Sequence, residues 1–180
     1  AKVANLLRTP AVIVSEGDSW FQYPITLVDT IDHLNDKYAI WSLDAAGDLL
    51  QNMADQQEYL PALGDTGAAI LLLSGGGNDL VAGGRLAEHL EDHDPAFSAA
   101  DHLKPSFDRL LTEALAQYER IFRQVHGAFP EVHVLCHGYD YPIPAGGRWL
   151  GRPMEKQGVT GRKMQAAIAR EMMDRFNRGL

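Results

Sequence analysis

The 180-residue sequence has one cysteine, no apolar run of membrane-spanning length and no excess of positive charge. A lone cysteine excludes an intrachain disulfide. Cys136 follows Val132-His133-Val134-Leu135, an expected buried strand in which a thiol acts as a small hydrophobe. A bilayer span needs about 20 consecutive apolar residues, and no segment approaches that length. The net charge is −8. An acidic surface repels phosphate backbones and anionic lipid, which argues against nucleic-acid and membrane-surface partners. The most basic stretch, Arg162 to Arg178, also carries Glu171 and Asp174 and reads as a solvated helix face. The seven histidines lack a tight ligand spacing. His89 and His93 stand four apart, but the glutamate of the zincin pattern is missing, so neither metal nor cofactor is called for. The chain begins with Ala rather than Met, so its start says little about a leader. The compartment stays open, with the cytoplasm slightly favoured.

What is present is ordinary globular composition, 46% hydrophobic and 22% charged, in a length that fits one domain over residues 1–180. Four short apolar runs, Ala11 to Ser15, Tyr38 to Leu43, Ala69 to Leu73 and Val132 to Cys136, read as strands buried on both faces. Helical spacing follows each. Leu27, Val28, Ile31 and Leu34 come after the first strand, and Leu49, Leu50, Met53 and Ala54 after the second. A long stripe runs from Phe107 through Leu110, Ala114, Tyr118 and Ile121 to Val125. A last helix starts near Thr160 and turns Met164, Ala167, Ile168, Met172 and Phe176 inward, with Asn177 and Gly179 as its stop signal. Alternating strands and helices imply right-handed crossovers and a parallel sheet, an α/β fold with three layers, α/β/α. Leu80 to Pro105 is expected to form a partly helical excursion. Tyr139 to Gly158, rich in Pro and Gly, is expected to be an ordered loop.

Open parallel sheets bind ligands outside the carboxyl ends of their strands. The four strands deliver Glu16-Gly17-Asp18-Ser19-Trp20, Asp44-Ala45-Ala46-Gly47-Asp48, Ser74-Gly75-Gly76-Gly77-Asn78-Asp79 and His137-Gly138-Tyr139-Asp140 to that rim. A hydroxyl, a glycine amide, a carboxamide and an imidazole are the groups that acyl transfer requires. Each piece also has a plainer use. Gly-Asp-Ser makes a turn, Gly47 opens a helix, and the triple glycine makes a tight turn or a phosphate cradle. The last is poorly supported, because neither common phosphate-loop motif is present.

The order of the three pieces resembles the GDSL/SGNH family of serine hydrolases. Gly17-Asp18-Ser19-Trp20 is similar to its first block, with Trp20 where Leu is commoner. Gly47 is similar to the single glycine of the second block, and Gly76-Gly77-Asn78-Asp79 to the Gly-x-Asn-Asp of the third. The resemblance implies the flavodoxin-like SGNH-hydrolase fold and a serine esterase or acylhydrolase acting on small-molecule esters. It implies Ser19 as nucleophile, with the Ser19 and Gly47 N–H groups and the Asn78 side-chain amide as oxyanion donors. Asp18 and Asp79 would be structural. Trp20 would contact substrate, alongside Phe21 and Tyr23 as candidate acyl- or alcohol-pocket residues.

One block departs from the pattern. The family's Asp-x-x-His, source of the general base, does not occur, and no histidine follows His137. His137 is expected beside the substrate rather than as the base. The expectation is that base and a fifth strand lie past Leu180 or on another chain, and that the 180 residues alone have little esterase activity. Two other readings remain: a non-catalytic α/β binding module retaining the oxyanion pocket, and a nucleotide or cofactor binder using the 74–79 loop.

Overall fold

Four strands pair side by side, all in parallel, in a computed structural model that describes residues 11–23 and 27–180. They are β1 (Val12–Gly17), β2 (Ala39–Ser42), β3 (Ile70–Ser74) and β4 (His133–Cys136), in the order β2-β1-β3-β4. Val14 of β1 pairs with Trp41 on one side and Leu71 on the other, and Leu71 pairs in turn with Val134. This is the α/β class with a parallel sheet expected from the sequence. The expectation of strands buried on both faces suits the central β1 and β3 but not the edges. Trp41 and Leu135 are each 51% exposed, and Cys136 is exposed rather than buried. A run of apolar residues does not say whether a second strand or helix covers it, and edge strands lack one neighbour.

The chain divides into two compact units. The first comprises the chain up to Asp48, Asn52–Ser74 and Arg120–Cys136, and so holds the whole sheet. The second comprises Leu49–Gln51, Gly75–Glu119 and His137–Leu180.

In the first unit, α1 (Thr30–Asn35) starts later than the apolar spacing suggested. Asp29 caps it: its carboxyl accepts from the Asp32 N–H, while the Asp32 carboxyl accepts from the Asp29 N–H. This reciprocal box satisfies two amides that a helix start otherwise leaves without partners. Leu27 and Val28 therefore lie outside the helix and are 63% and 67% exposed, not core residues as the spacing predicted. Most of α2 (Leu50–Gln56) and all of α3 (Tyr59–Thr66) follow. Pro61 is tolerated in the first turn of α3, where no intrahelical N–H bond is lost. Gly67 ends the helix in the left-handed region, its N–H donating to the Leu63 carbonyl. The buried Tyr59 hydroxyl meets the Gln124 side chain, whose Nε2 donates to the Ala54 carbonyl at 3.1 Å. These bonds tie α2, α3 and the end of α5 (Pro105–Ala128) together.

The second unit contains α4 (Gly77–Leu80), the first part of α5, α6 (Gly151–Lys156) and α7 (Arg162–Gly179). Its core gathers rings around the triple glycine. The Tyr118 hydroxyl donates to the Gly75 carbonyl at 2.9 Å, and the Gly77 N–H donates to the Tyr139 hydroxyl at 3.2 Å. Gly76 has φ of +106°, and a Cβ there would lie 2.7 Å from the Phe176 ring. Aromatic packing thus accounts for this glycine without a phosphate. α7 ends at Gly179, within the expected stop signal, and Asn177 has a second use. Its amide clasps the Tyr139 backbone, accepting at 2.9 Å and donating at 2.8 Å. The excursion after Leu80 is partly helical as expected, with three short 3-10 turns between Ala82 and His102. Buried His102 bridges it, with Nδ1 2.7 Å from the Ser98 carbonyl and Nε2 3.0 Å from His93 Nδ1. The Tyr139 to Gly158 loop is ordered but also contains α6. No helix among the described residues is long and apolar enough to cross a membrane.

Glu16, on β1, is 3% exposed. Burial first, then the charges of Asp44, Asp48 and Glu58, pushes its carboxyl up to about 8. Burial, with Glu16 nearby, likewise pushes the Tyr59 hydroxyl up to about 12. The folded chain thus holds a Glu16 proton that the unfolded chain releases near pH 4.5. The associated stability is full below that pH and is lost on rising to about 8. Glu16→Gln should therefore gain stability relative to the parent across this window, by at most about 1.4 kcal/mol per pH unit. Urea unfolding at pH 5 and pH 8 reads this, and a pH-independent difference would refute it. Gly76→Ala should cost at least about 2 kcal/mol in the same assay, from backbone strain and the Phe176 collision.

Candidate functional site

The turn that carries Ser19 leaves the carboxyl end of central strand β1. Gly17 is required there by close packing: a Cβ would lie 2.7 Å from the Phe21 ring and 3.0 Å from Ser74 Cβ. Phe21 is consequently core, 4% exposed, and not a pocket residue. Buried Asp18 fastens the turn to β3. Its N–H donates to the Ser74 carbonyl at 3.1 Å, and its Oδ1 accepts from Ser74 Oγ at 3.0 Å and from the Trp20 N–H at 3.1 Å. The Phe21 and Gln22 N–H groups close on the Asp18 carbonyl. With these bonds on Asp18, Ser19 stands half-buried at a defined point.

Ser19 and Trp20 line a cavity of about 430 Å³ in the first unit, with Tyr23, Leu27, Val28, Asp29, Thr30 and His33. Trp20 and Tyr23 were expected at such a pocket. Leu27, Val28 and His33 were not, because helical spacing assigned the first two to the core. The Asp29-x-x-Asp32 capping pattern was the available signal that the helix begins only after them.

Gly47 follows β2 in the same unit. The Leu43 N–H donates to the Ser15 carbonyl and the Ala45 N–H to the Gly17 carbonyl, so this loop continues alongside β1 past the strand's end. Asp44 Oδ2 accepts from Ser15 Oγ at 2.6 Å and from Ser42 Oγ at 2.7 Å, while buried Oδ1 lacks a partner among the described residues. Burial raises the Asp44 carboxyl above its usual range, opposed by these two hydroxyls. Gly47 has φ of +90°, and nothing lies within 4 Å of where its Cβ would be. Backbone conformation, not crowding, requires glycine here. Among the described residues, neither the Ser19 nor the Gly47 N–H donates to a protein acceptor, and no side chain hydrogen-bonds the Ser19 hydroxyl.

Asn78 belongs to the second unit, on α4. It lines another cavity, of about 400 Å³, with Gln51, Asp79, Arg85, Glu113 and Gln117 among its polar walls. Asp79 Oδ2 accepts from the Leu50 N–H at the start of α2, at 3.4 Å. His137, immediately after β4, places Nδ1 2.9 Å from the Gly138 carbonyl and sits edge-on to Tyr139 at 5.6 Å. The structure thus brings Ser19 and Trp20 to one cavity and Asn78 to a second. His89 and His93 turn to different partners, Ser106 and His102. Among the described residues, no group of three or more His, Cys, Asp or Glu side chains is placed to hold a metal.

No protein-family model matches the sequence, and no curated protein matches it. Solved structures do. An extracellular lipase from Streptomyces rimosus is similar with a TM-score of 0.53 at 13% identity, over 94% of this chain and 74% of that one. A phospholipase A1 from Streptomyces albidoflavus NA297 is similar with a TM-score of 0.52 at 14% identity, over 95% and 74%. AlinE4, an SGNH-hydrolase family esterase, is similar with a TM-score of 0.50 at 18% identity, over 85% and 75%. The chain has the α/β SGNH-hydrolase fold, and its structural neighbours are esterases and lipases of the SGNH/GDSL family.

Proposed function

We propose that this protein hydrolyses carboxylic esters through an acyl-enzyme on Ser19. The observation that carries the reading is the position of Ser19: at the carboxyl end of the central strand, in a turn pinned by Asp18, on the wall of a cavity. Ser19 Oγ attacks the ester carbonyl carbon while its proton passes, through a general base, to the alkoxide that leaves, and the carbonyl oxygen gains negative charge. The Ser19 and Gly47 N–H groups donate to that oxygen, and the Asn78 side-chain amide is the third donor that the family resemblance implies. The alcohol leaves with a proton, and water then attacks the acyl-enzyme and releases the acid. Trp20 and His137 flank the substrate. No cofactor enters these steps.

A binding module that keeps the pocket without the base is the second reading. It is favoured by the lack of a side chain on the Ser19 hydroxyl among the described residues. A fluorophosphonate probe separates the two, because only an activated serine reacts. The expected outcome is covalent labelling at Ser19, located by peptide mass spectrometry and abolished in Ser19→Ala. That variant should melt within about 2 °C of the parent, since a half-exposed hydroxyl contributes little to stability. Failure of the probe to label Ser19 would favour the binding module.

Asn78→Ala should lower kcat about 10²- to 10³-fold on p-nitrophenyl acetate, with little change in KM, because its bond strengthens as the oxyanion forms. A change confined to KM would remove Asn78 from this role. His137→Ala should lower kcat/KM less than about tenfold, as a substrate contact does. A loss on the scale of the Ser19→Ala defect would make His137 the base.

A further inference from the structure

Positive charge gathers at one concavity of a chain whose net charge is −8. Arg85, Arg148, Arg152 and Lys156 line a cavity of about 370 Å³ in the second unit, with Glu88 as the one carboxylate among the described lining residues. Four of the chain's 16 Lys and Arg side chains therefore share one hollow. Arg148, Arg152 and Lys156 recur at intervals of four, and the last two stand one turn apart on α6. Like charges at that spacing repel each other.

Little in the protein offsets that repulsion. Among the described residues, no carboxylate forms an ion pair with Arg148, Arg152 or Lys156. The Arg148 guanidinium lies over the Trp149 ring, 4.3 Å from its centre, a contact that orients the charge without neutralising it. Arg85 approaches Glu88 only to 3.9 Å, and the two side chains are 70% and 61% exposed. An ion pair so open to water contributes little.

The walls that carry these charges are fixed by packing. Gln157 Nε2 donates to the Ala87 carbonyl at 2.7 Å and fastens the end of α6 to the 3-10 turn Leu86–His89. Met154 and Leu86, one from each side of that junction, are fully buried. The Arg152 N–H donates to the Gly147 carbonyl at 3.1 Å. Gly151 is confined as well, because a Cβ there would collide with the Ala145 carbonyl oxygen. The Trp149 ring lies 3.7 Å from where a Gly84 Cβ would be, which ties the turn before α6 to the backbone beside Arg85. The backbone positions of the four cations are thus set in advance of any ligand, which lowers the entropic cost of binding one.

A guanidinium presents paired N–H donors that match the oxygens of a phosphate or carboxylate, and an ammonium adds a point charge. Three guanidinium groups and one ammonium offer more donors than a single phosphate can accept, around a hollow of small-molecule size. An extended polyanion would also meet the acidic remainder of the surface, whereas a small one meets only the hollow. We infer that this cavity binds a small oxyanion carrying two or more phosphate or carboxylate groups. The inference is independent of the ester chemistry at Ser19, which lies in the first unit.

Calorimetric titration with tripolyphosphate, citrate and orthophosphate, in about 50 mM NaCl to limit screening, tests it. Tripolyphosphate or citrate should bind one per chain, at least about tenfold more tightly than orthophosphate, because several cations engage at once. The tighter of the two identifies the phosphate or the carboxylate class. Arg152→Gln and Lys156→Gln, both at exposed positions, should each weaken that binding about fivefold or more, with circular dichroism confirming the fold. Lys163→Gln removes the same charge from outside the cavity lining and should change the affinity less than about twofold. Raising the salt to about 500 mM should weaken the parent's binding at least about tenfold. Failure of both polyanions to bind overturns the inference and leaves a solvated basic face. Equal affinity for orthophosphate overturns it in favour of a single-ion contact. So does an equal loss in Lys163→Gln and the cavity variants, or no loss in either cavity variant, since diffuse attraction would then account for the binding.

Discussion

The buried carboxyl of Asp18 determines the turn that carries Ser19. A strand leaving a parallel sheet has no intrinsic reason to stop in one conformation. Here the next residue bonds three ways to β3 and to its own turn, through Ser74 Oγ, the Ser74 carbonyl and the Trp20 N–H. Removing that carboxyl would break its bonds to the Ser74 hydroxyl and the Trp20 N–H. The position of Ser19, the exposure of Trp20 and the burial of Phe21 all follow from the same turn. Gly17 belongs to this arrangement, because any side chain there would displace the Phe21 ring.

A comparable constraint operates in the second unit, with rings in place of a carboxyl. The Gly75–Gly77 segment is held between the Tyr118 and Tyr139 hydroxyls, and Phe176 packs where a Gly76 Cβ would be. Tyr139 is held in turn by the Asn177 amide on α7. Gly76, in the run that suggested a phosphate cradle, is thus small because the Phe176 ring needs the space. Asn78 follows immediately after this packed segment, so its backbone position is inherited from the core rather than from a free loop.

The two cavities differ in the way that residue chemistry dictates. Apolar rings and aliphatic chains line the cavity beside Ser19, whereas Gln51, Arg85, Glu113 and Gln117 beside Asn78 present hydrogen-bonding groups. Buried carboxyls add a second theme. Glu16 and Asp44 lie close to the loops that carry Ser19 and Gly47, and burial raises both. Their protons link the integrity of these loops to pH independently of any catalytic titration.

Periodicity and turn chemistry were enough to identify the strands within one or two residues, the parallel α/β class, and the long helix that ends at Ala128. Ser19, Gly47 and Asn78 became candidates because their three short blocks, in order at strand ends, resemble the GDSL/SGNH pattern. Burial was less legible. Cys136, Leu135 and Trp41 are apolar in sequence yet exposed, because only strand order makes β2 and β4 edges. Leu27 and Val28 match a helical stripe, but the Asp29 capping box starts the helix after them and leaves them on a cavity wall. Asn177 and Gly179 read correctly as the end of α7, but nothing local shows that the Asn177 amide clasps the Tyr139 backbone. Local sequence carries propensity and spacing, which act over a few residues. Whether a side chain becomes core, edge or cavity wall depends on which distant segment packs against it, and only the tertiary structure decides that.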